Sequence, residues 1–188
     1  MKDRGRNLVY VMGASGSGKD TLLRHLRAMT APGDRLLIAH RYITRPSGPD
    51  EASVALAEDE FERRANLGCF ALQWRSHGLC YGIGVEIDAW MAAGITVLVN
   101  GSRAYLPQAC ARYPALCAVE VTVDPAMLRQ RLLGRGRESG SDIEARLTRA
   151  TAAFDVPAGC ECIALDNNGA PQDAASRLLD IVRSRRTA

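Results

Sequence analysis

Short apolar runs alternate along the chain with longer stretches in which apolar residues recur at helical spacing. The apolar runs predict buried strands at residues 7–12, 36–39, 95–99, 118–123 and 162–165. The amphipathic stretches predict helices at residues 19–29, from Pro125 onward, at 141–154 and at 172–185. Alternation of this kind is typical of an α/β fold with a mostly parallel sheet.

Residues 41–93 interrupt this alternation. They carry turn signals at 45–49, an acidic helix start at 58–61, a strand-like run at 70–75 and a further helix around 86–93. We expect an insertion with its own small fold, set into a core formed by residues 1–40 and 94–188. A chain of 188 residues fits a single domain of this kind.

Composition and charge exclude several other kinds of protein. Hydrophobic residues make up 47% of the chain and charged residues 24%, which excludes a disordered protein. No apolar run approaches the roughly 18–20 residues of a membrane span, and the N-terminal segment lacks a signal-peptide pattern. We therefore expect a cytoplasmic protein with no membrane partner. A net charge of +3 is too small to indicate nucleic-acid binding.

A glycine-rich loop follows the first predicted strand and precedes the first predicted helix. Its residues are Gly13, Ala14, Ser15, Gly16, Ser17, Gly18 and Lys19. Glycines let backbone N–H groups turn inward around a polyphosphate, and the helix N-terminus adds the positive end of its dipole. Lys19, one of only two lysines in the sequence, can reach the β- and γ-phosphates. The loop predicts binding of a nucleoside triphosphate, and the sequence leaves the choice between ATP and GTP open.

The residue after the loop lysine departs from the common pattern. That position usually carries a Ser or Thr hydroxyl that binds Mg²⁺, but here it is Asp20, followed by Thr21. Successive helix residues point about 100° apart, so Thr21 is not a simple substitute. Because Mg²⁺ prefers carboxylate and water oxygens, we expect Asp20 to bind it directly or through water, with Thr21 in the nucleotide site. The alternative is that Asp20 only favours the helix start electrostatically.

Further motifs resemble the guanylate kinase family over nearly the whole chain. They are residues 13–19, Thr44-Arg45, residues 58–61, Tyr81-Gly82, and Arg135-Gly136-Arg137 followed by Ile143 and Arg146-Leu147. The resemblance implies a P-loop NTPase core of three α/β/α layers around a parallel sheet. It also implies an acceptor-binding insertion at 41–93 and a short lid at about 134–142. It implies that Arg45 and Tyr81 bind the acceptor, and that Lys19, Arg135 and Arg146 act on the transferred phosphoryl group.

The acceptor site departs from that family. Guanylate kinases bind guanine through a carboxylate on the strand before the Tyr-Gly element, and here that position is Gln73. A neutral amide cannot reproduce the pair of acceptors that a carboxylate offers. The family's second acceptor arginine is missing from residues 46–49, and the central strand ends in Asn100 where the family has an Asp-rich end. GMP is therefore a poor candidate substrate.

A closer resemblance is to the ribose 1,5-bisphosphate phosphokinase family of phosphonate degradation. The matching residues are 16–20, 41–46, Gln73-Trp74, His77-Gly78, 81–83 and 99–103. The resemblance implies transfer of the ATP γ-phosphoryl group to the 1-phosphate of ribose 1,5-bisphosphate, which gives 5-phosphoribosyl 1-diphosphate (PRPP). Because this acceptor is already anionic, the reaction needs charge neutralisation and in-line alignment rather than a dedicated base.

Arginines and amides are the candidate acceptor ligands. We expect Arg41, Arg45 and Arg103 on the two phosphates, because the planar guanidinium fork suits phosphate oxygens. We expect Gln73 and Asn100 on the ribose hydroxyls, while Tyr81 either donates to a phosphate or packs. The alternative for each is an ordinary surface or structural role.

Other functions stay open on the sequence alone. They are a guanylate or other nucleoside monophosphate kinase, a guanylate-kinase-like binding module without catalysis, a small-metabolite kinase of the gluconate or shikimate type, and a P-loop regulatory ATPase. Non-catalytic modules tend to lose the loop lysine and the lid arginines, whereas this chain keeps Lys19, Arg135 and Arg146. We expect a small-molecule substrate, and the sequence does not decide between a monomer and a homodimer.

Overall fold

The structure is a computed structural model that describes residues 3–48, 51–134, 140–152 and 154–187, at a few positions through the backbone alone. The strands are β1 (Leu8–Gly13), β2 (Leu36–Ile38), β3 (Arg41–Ile43), β4 (Ser53–Ala55), β5 (Phe70–Ser76), β6 (Leu79–Gly84), β7 (Thr96–Asn100), β8 (Cys117–Thr122) and β9 (Glu161–Asp166). The α-helices are α1 (Lys19–Met29), α2 (Glu58–Asn66), α3 (Glu86–Ala92), α4 (Leu106–Arg112), α5 (Pro125–Gly134), α6 (Gly140–Thr151) and α7 (Pro171–Thr187). Within these ranges, no helix is long and apolar enough to cross a membrane.

The parallel sheet predicted from the apolar runs is confirmed. Its order is β2-β7-β1-β8-β9, and every pairing is parallel. Both faces of β1 are buried. Val9 and Val11 pack in a cluster with α1 and α7, whereas Leu8, Tyr10 and Met12 pack in a second cluster with α3 and α4. Burial on both faces explains why the strands are continuous apolar runs, and it gives three layers.

A second, smaller sheet lies within residues 41–93, in the order β4-β3-β6-β5. Strand β3 pairs parallel with β4 and antiparallel with β6, which pairs antiparallel with β5. Phe61 of α2 stacks on Phe70 of β5, with ring centroids 4.6 Å apart, in a small buried cluster. The sequence predicted β5 and α2 but not β3, β4 and β6. Strands β3 and β4 have three residues each and are too short to show alternation, and glycines at 82 and 84 interrupt the apolar pattern of β6.

Helix α6 ends at Thr151, three residues earlier than the predicted end at residue 154. The reason is the position of Phe154, which packs against the core cluster beside α3 and α4. The same ring lies 5.6 Å from the guanidinium carbon of Arg103. Phe154 therefore joins the chain to the sheet layer instead of extending the face of the helix.

Three neighbouring strands of the main sheet end at one edge. The register pairs Val11 of β1 with Asn100 of β7, and Gly13 of β1 with Val121 of β8. Strands β2 and β7 lie on one side of β1, and the later strands β8 and β9 lie on the other side, so the strand order reverses at β1. In open α/β sheets, ligands bind outside the carboxyl ends of the strands at such a reversal.

A buried tyrosine fixes the turn that follows β7. The Tyr10 hydroxyl donates to the Ser102 carbonyl and accepts from the Ser102 N–H, both at 2.9 Å. Burial raises the pKa of this hydroxyl, so it stays protonated and can donate. A Cβ at Gly101 would overlap the Tyr10 ring. The positions of Asn100 and Arg103, on either side of this turn, therefore depend on Tyr10.

We expect Gly101→Ala to lower the free energy of unfolding by about 1–3 kcal/mol, because the added methyl group overpacks against Tyr10. Urea unfolding followed by circular dichroism measures the change. Gly33→Ala is the matched control, since a Cβ there meets no atom within 4 Å. Equal stability of Gly101→Ala and the wild type would show that the Tyr10 ring does not constrain this turn.

Candidate active site

The glycine-rich loop joins β1 to α1 at the carboxyl edge of the main sheet. Gly18 is the N-cap of α1 and has a φ of 89°, in the left-handed region that favours glycine. The Lys19 ammonium donates to the carbonyls of Gly13 at 2.8 Å and Ala14 at 2.9 Å. The loop carbonyls therefore orient the Lys19 ammonium beside the backbone that would hold a phosphate chain.

Two residues that sequence reasoning missed support the loop from behind. Asn167, directly after β9, is 1% exposed and donates from Nδ2 to the Ser17 carbonyl at 2.7 Å. Arg131 of α5 donates to the carbonyls of Asn167 at 2.8 Å and Ser17 at 3.4 Å. A Cβ at Gly18 would lie 2.7 Å from Asn167 Nδ2, so the fit is close. The available signal was the polar run 166–168 directly after a predicted strand.

Asp20 stands at the centre of the candidate site. Its Oδ1 accepts hydrogen bonds from Asn100 Nδ2 at 2.8 Å and from Arg41 Nη2 at 2.9 Å. The Asp20 side chain is 46% exposed, whereas Arg41 is only 12% exposed. The structure thus brings together three of the predicted residues: Asp20 from the first helix, Asn100 from the end of β7 and Arg41 from the start of β3. Thr21 is half-buried at the next position of α1.

The same cluster suits a magnesium ion by the chemistry of its donors. Asp20 offers a partly exposed carboxylate, and the adjacent Asn100 Oδ1 is buried without a hydrogen-bond partner in the described structure. Carboxylate and amide oxygens are ligands that Mg²⁺ accepts, usually one or two of them together with water and substrate phosphates. No group of three or more His, Cys, Asp or Glu side chains among the described residues could hold a metal ion. Asp20 and Asn100 Oδ1 fit an Mg²⁺ ion whose remaining ligands would be water and substrate phosphates.

A second carboxylate, which the sequence did not indicate, lies between two of the three predicted acceptor arginines, Arg41 and Arg45. Glu51 is 9% exposed, and its Oε1 lies 2.5 Å from Arg41 Nη2. Its Oε2 lies 2.7 Å from Arg45 Nη2. Arg41, Glu51 and Arg45 thus form one chain of charges that continues through Arg41 to Asp20. No periodicity marks Glu51, because it lies in the irregular segment between β3 and β4.

Gln73 and Tyr81 occupy neighbouring strands of the small sheet. Gln73 is exposed on β5, opposite Gly82 of β6, and its backbone N–H lies 3.4 Å from the Tyr105 hydroxyl. Tyr81 stacks on Trp74, with ring centroids 5.4 Å apart and an interplanar angle of 4°. This stack matches the packing alternative for Tyr81.

Arg103 lies on the side of the loop that faces α6. Its Nη1 donates to the Ala150 carbonyl at 3.0 Å and lies 3.6 Å from Glu120 Oε1. These residues, together with Ala14 and Ser17, line part of a cleft beside the glycine-rich loop. The described contacts of Arg103 therefore join the main sheet to the carboxyl end of α6.

The predicted lid arginines can be placed only in part. The predicted lid covers residues 134–142. Arg135 and the rest of residues 135–139 lie outside the described residues. Arg146 is a position of α6, and its side chain is not among those described. The structure therefore leaves their expected action on the transferred phosphoryl group as a prediction.

Comparisons of sequence and of fold find kinases similar to this chain. A scan against protein-family models finds no match. The chain is 60% identical to ribose 1,5-bisphosphate phosphokinase PhnN of Achromobacter xylosoxidans (strain A8), over 98% of this chain and 96% of the relative. It is 51% identical to the protein of the same name from Burkholderia mallei (strain SAVP1), over 93% and 94%. Among solved structures, a guanylate kinase from Anaplasma phagocytophilum aligns with a TM-score of 0.67 and 17% identity, over 99% and 88%. This last likeness shows the fold alone.

We expect Asn167→Ala to raise the dissociation constant for Mg-ATP and to lower the free energy of unfolding by about 1–3 kcal/mol, because the Ser17 carbonyl loses a buried partner. Calorimetric titration with a non-hydrolysable ATP analogue and urea unfolding measure the two effects. Ser184→Ala is the control, since the Ser184 hydroxyl donates to Ile181 on the exposed surface of α7. Unchanged affinity in Asn167→Ala would show that the loop holds its shape without this support.

Proposed function

The chain belongs to the ribose 1,5-bisphosphate phosphokinase family, and we propose that it transfers the γ-phosphoryl group of ATP to the 1-phosphate of ribose 1,5-bisphosphate, giving PRPP. The relatives that carry this name match nearly the full length of the chain. The observation in the site that carries the proposal is the double contact of Asp20 with Asn100 and Arg41. It joins the nucleotide loop to the strand that starts the insertion, so donor and acceptor phosphates would meet at one place.

The acceptor chemistry suits this cluster. An acceptor phosphate oxygen is already anionic at neutral pH, so the reaction needs no base to deprotonate it. The difficulty is to bring two anions into line, which requires cations and fixed N–H donors on both sides. The loop amides of residues 13–18 and Lys19 would hold the β- and γ-phosphates of ATP. Arg41 and Arg45 would neutralise and orient an acceptor phosphate.

The remaining predicted residues complete the proposed site. Arg135 and Arg146 would lie over the phosphoryl group in transit and exclude water from it. Asn100 and Gln73 would donate and accept hydrogen bonds at ribose hydroxyls. Arg103 would act from the α6 side, where its described contacts lie. Tyr81 would serve by packing on Trp74, which stiffens the strand opposite Gln73.

Magnesium would be held by Asp20, with Asn100 Oδ1 beside it. Held there, Mg²⁺ would supply positive charge that neutralises the charge developing on the transferred phosphoryl group. Asp20 in turn shares its Oδ1 with Arg41, so the carboxylate balances positive charge on the acceptor side as well. We further propose a cytoplasmic enzyme, because the reaction consumes ATP and all six cysteines are free thiols, as expected under reducing conditions.

A nucleoside monophosphate kinase is the nearest alternative, since the fold is guanylate-kinase-like. The residue at the guanine-binding position argues against it. Gln73 is a neutral amide, and a polar pocket that lacks the right partner discriminates strongly against the ligand that needs it. The curated relatives also carry a sugar-phosphate kinase name instead of a nucleotide kinase name.

Phosphorus NMR of the purified protein with Mg-ATP and ribose 1,5-bisphosphate tests the proposal. We expect a new diphosphate signal on the ribose 1-position, and a rate with GMP that is at least about 100-fold lower. GDP formed at an equal or greater rate than PRPP would contradict the proposal and would identify a guanylate kinase with an unusual base pocket.

We expect Lys19→Met to lower kcat by about 100-fold or more, because the substitution removes the positive charge placed over the transferred phosphoryl group. A coupled assay of ADP release measures the change. Lys2→Met, at the only other lysine of the sequence, is the control and should keep wild-type activity. Near-normal kcat in Lys19→Met would place the nucleotide elsewhere.

A further inference from the structure

Glu51 is more enclosed than either of the two arginines that it contacts. Its side chain is 9% exposed, against 12% for Arg41 and 38% for Arg45. Both carboxylate oxygens are engaged: Oε1 lies 2.5 Å from Arg41 Nη2, and Oε2 lies 2.7 Å from Arg45 Nη2. Oε1 also accepts from Arg45 Nη2 at 3.0 Å. The carboxylate thus spans two guanidinium groups from a position that is largely closed to solvent.

The arrangement solves an electrostatic problem. Two guanidinium groups that must share one phosphate repel each other before the phosphate arrives. A carboxylate between them removes that repulsion and fixes their separation. Arg45 is tied down a second time, since its Nη1 donates to the Pro46 carbonyl at 2.9 Å. The described side-chain hydrogen bonds of Arg41 to Asp20 and Glu51 both use its Nη2.

We propose that Glu51 is a positioning residue for the acceptor: it holds the guanidinium groups of Arg41 and Arg45 as one preformed phosphate clamp and does not itself touch the substrate. The inference rests on the proposed function, because it takes an acceptor phosphate as the occupant of the clamp. It adds that binding of this phosphate depends on the largely enclosed carboxylate of Glu51 as well as on the two arginines. It also makes the acceptor's phosphate group, rather than its sugar, the feature that these arginines recognise.

Glu51 differs from an ordinary stabilising residue in the kinetic parameter that it controls. Loss of a merely structural carboxylate would lower the amount of folded protein and affect both substrates alike. Loss of a positioning group for one clamp should weaken only the substrate held by that clamp. The side chain of Glu51 is bonded to the two arginines, whereas Lys19 donates to the carbonyls of Gly13 and Ala14, so we expect ATP binding to depend on Glu51 much less than acceptor binding does.

The test is the steady-state kinetics of Glu51→Gln with ATP and ribose 1,5-bisphosphate varied separately. We expect the KM for ribose 1,5-bisphosphate to rise about tenfold or more, because charge-assisted hydrogen bonds to both arginines are lost. We expect the KM for ATP to change by less than about twofold. Glu62→Gln is the matched control, since Glu62 forms an exposed ion pair with Arg75 in the same insertion. It should leave both values unchanged.

A double-mutant cycle tests the coupling between Glu51 and Arg45 directly. It therefore separates an effect on the clamp from a general loss of stability. If Glu51 acts through Arg45, Glu51→Gln should raise the acceptor KM by less than about threefold in an Arg45→Gln background, because coupled residues are not additive. Thermal melting of each variant shows that the compared proteins are folded.

Three outcomes would overturn the inference while the wild type still forms PRPP. They are an unchanged acceptor KM in Glu51→Gln, an equal rise in both KM values, and additive effects of Glu51→Gln and Arg45→Gln. Failure of the wild type to phosphorylate ribose 1,5-bisphosphate would instead overturn the proposed function. The two failures are therefore distinguishable within one set of assays.

Discussion

The ion pair between Asp20 and Arg41 joins the two halves of this protein. Asp20 belongs to the first turn of the helix that follows the glycine-rich loop, and Arg41 begins the first strand of the small sheet. Asn100, at the end of β7, binds the same carboxylate oxygen. Because β1 and β7 are neighbouring parallel strands, their ends fix the distance between the loop and this amide. The contact therefore fixes Arg41, a proposed acceptor ligand, relative to the loop that we propose binds the nucleotide phosphates.

An aspartate after the loop lysine gives this site a different electrostatic design from one with a hydroxyl. A hydroxyl can bind a metal ion, but it cannot balance an arginine. Asp20 can do both, and its partner Arg41 is shared with a second carboxylate, Glu51. Positive and negative groups alternate from Asp20 to Arg45, so each arginine is held in place before any substrate phosphate is present. Such pre-organisation suits a reaction whose main cost is the alignment of two anions.

The sequence predicted the parts of the structure that depend on local pattern. The five strands of the main sheet were visible as apolar runs because both faces of that sheet are covered. The loop and Lys19 were visible because binding a phosphate chain requires glycines and a lysine at a fixed spacing. Glu51, Asn167 and Arg131 were not visible, since each acts through contacts with residues far away in the sequence. For example, Asn167 supports Ser17, and nothing in a single sequence pairs those two positions.

A crystal structure of the protein with ribose 1,5-bisphosphate and a non-hydrolysable ATP analogue would show directly whether the two halves meet as proposed. We predict one acceptor phosphate within hydrogen-bond distance of both Arg41 and Arg45, with Glu51 still bonded to the two guanidinium groups and the analogue's γ-phosphate beside Lys19. Acceptor phosphates bound by other residues, with the bonds of Arg41 to Asp20 and Glu51 unchanged, would contradict it.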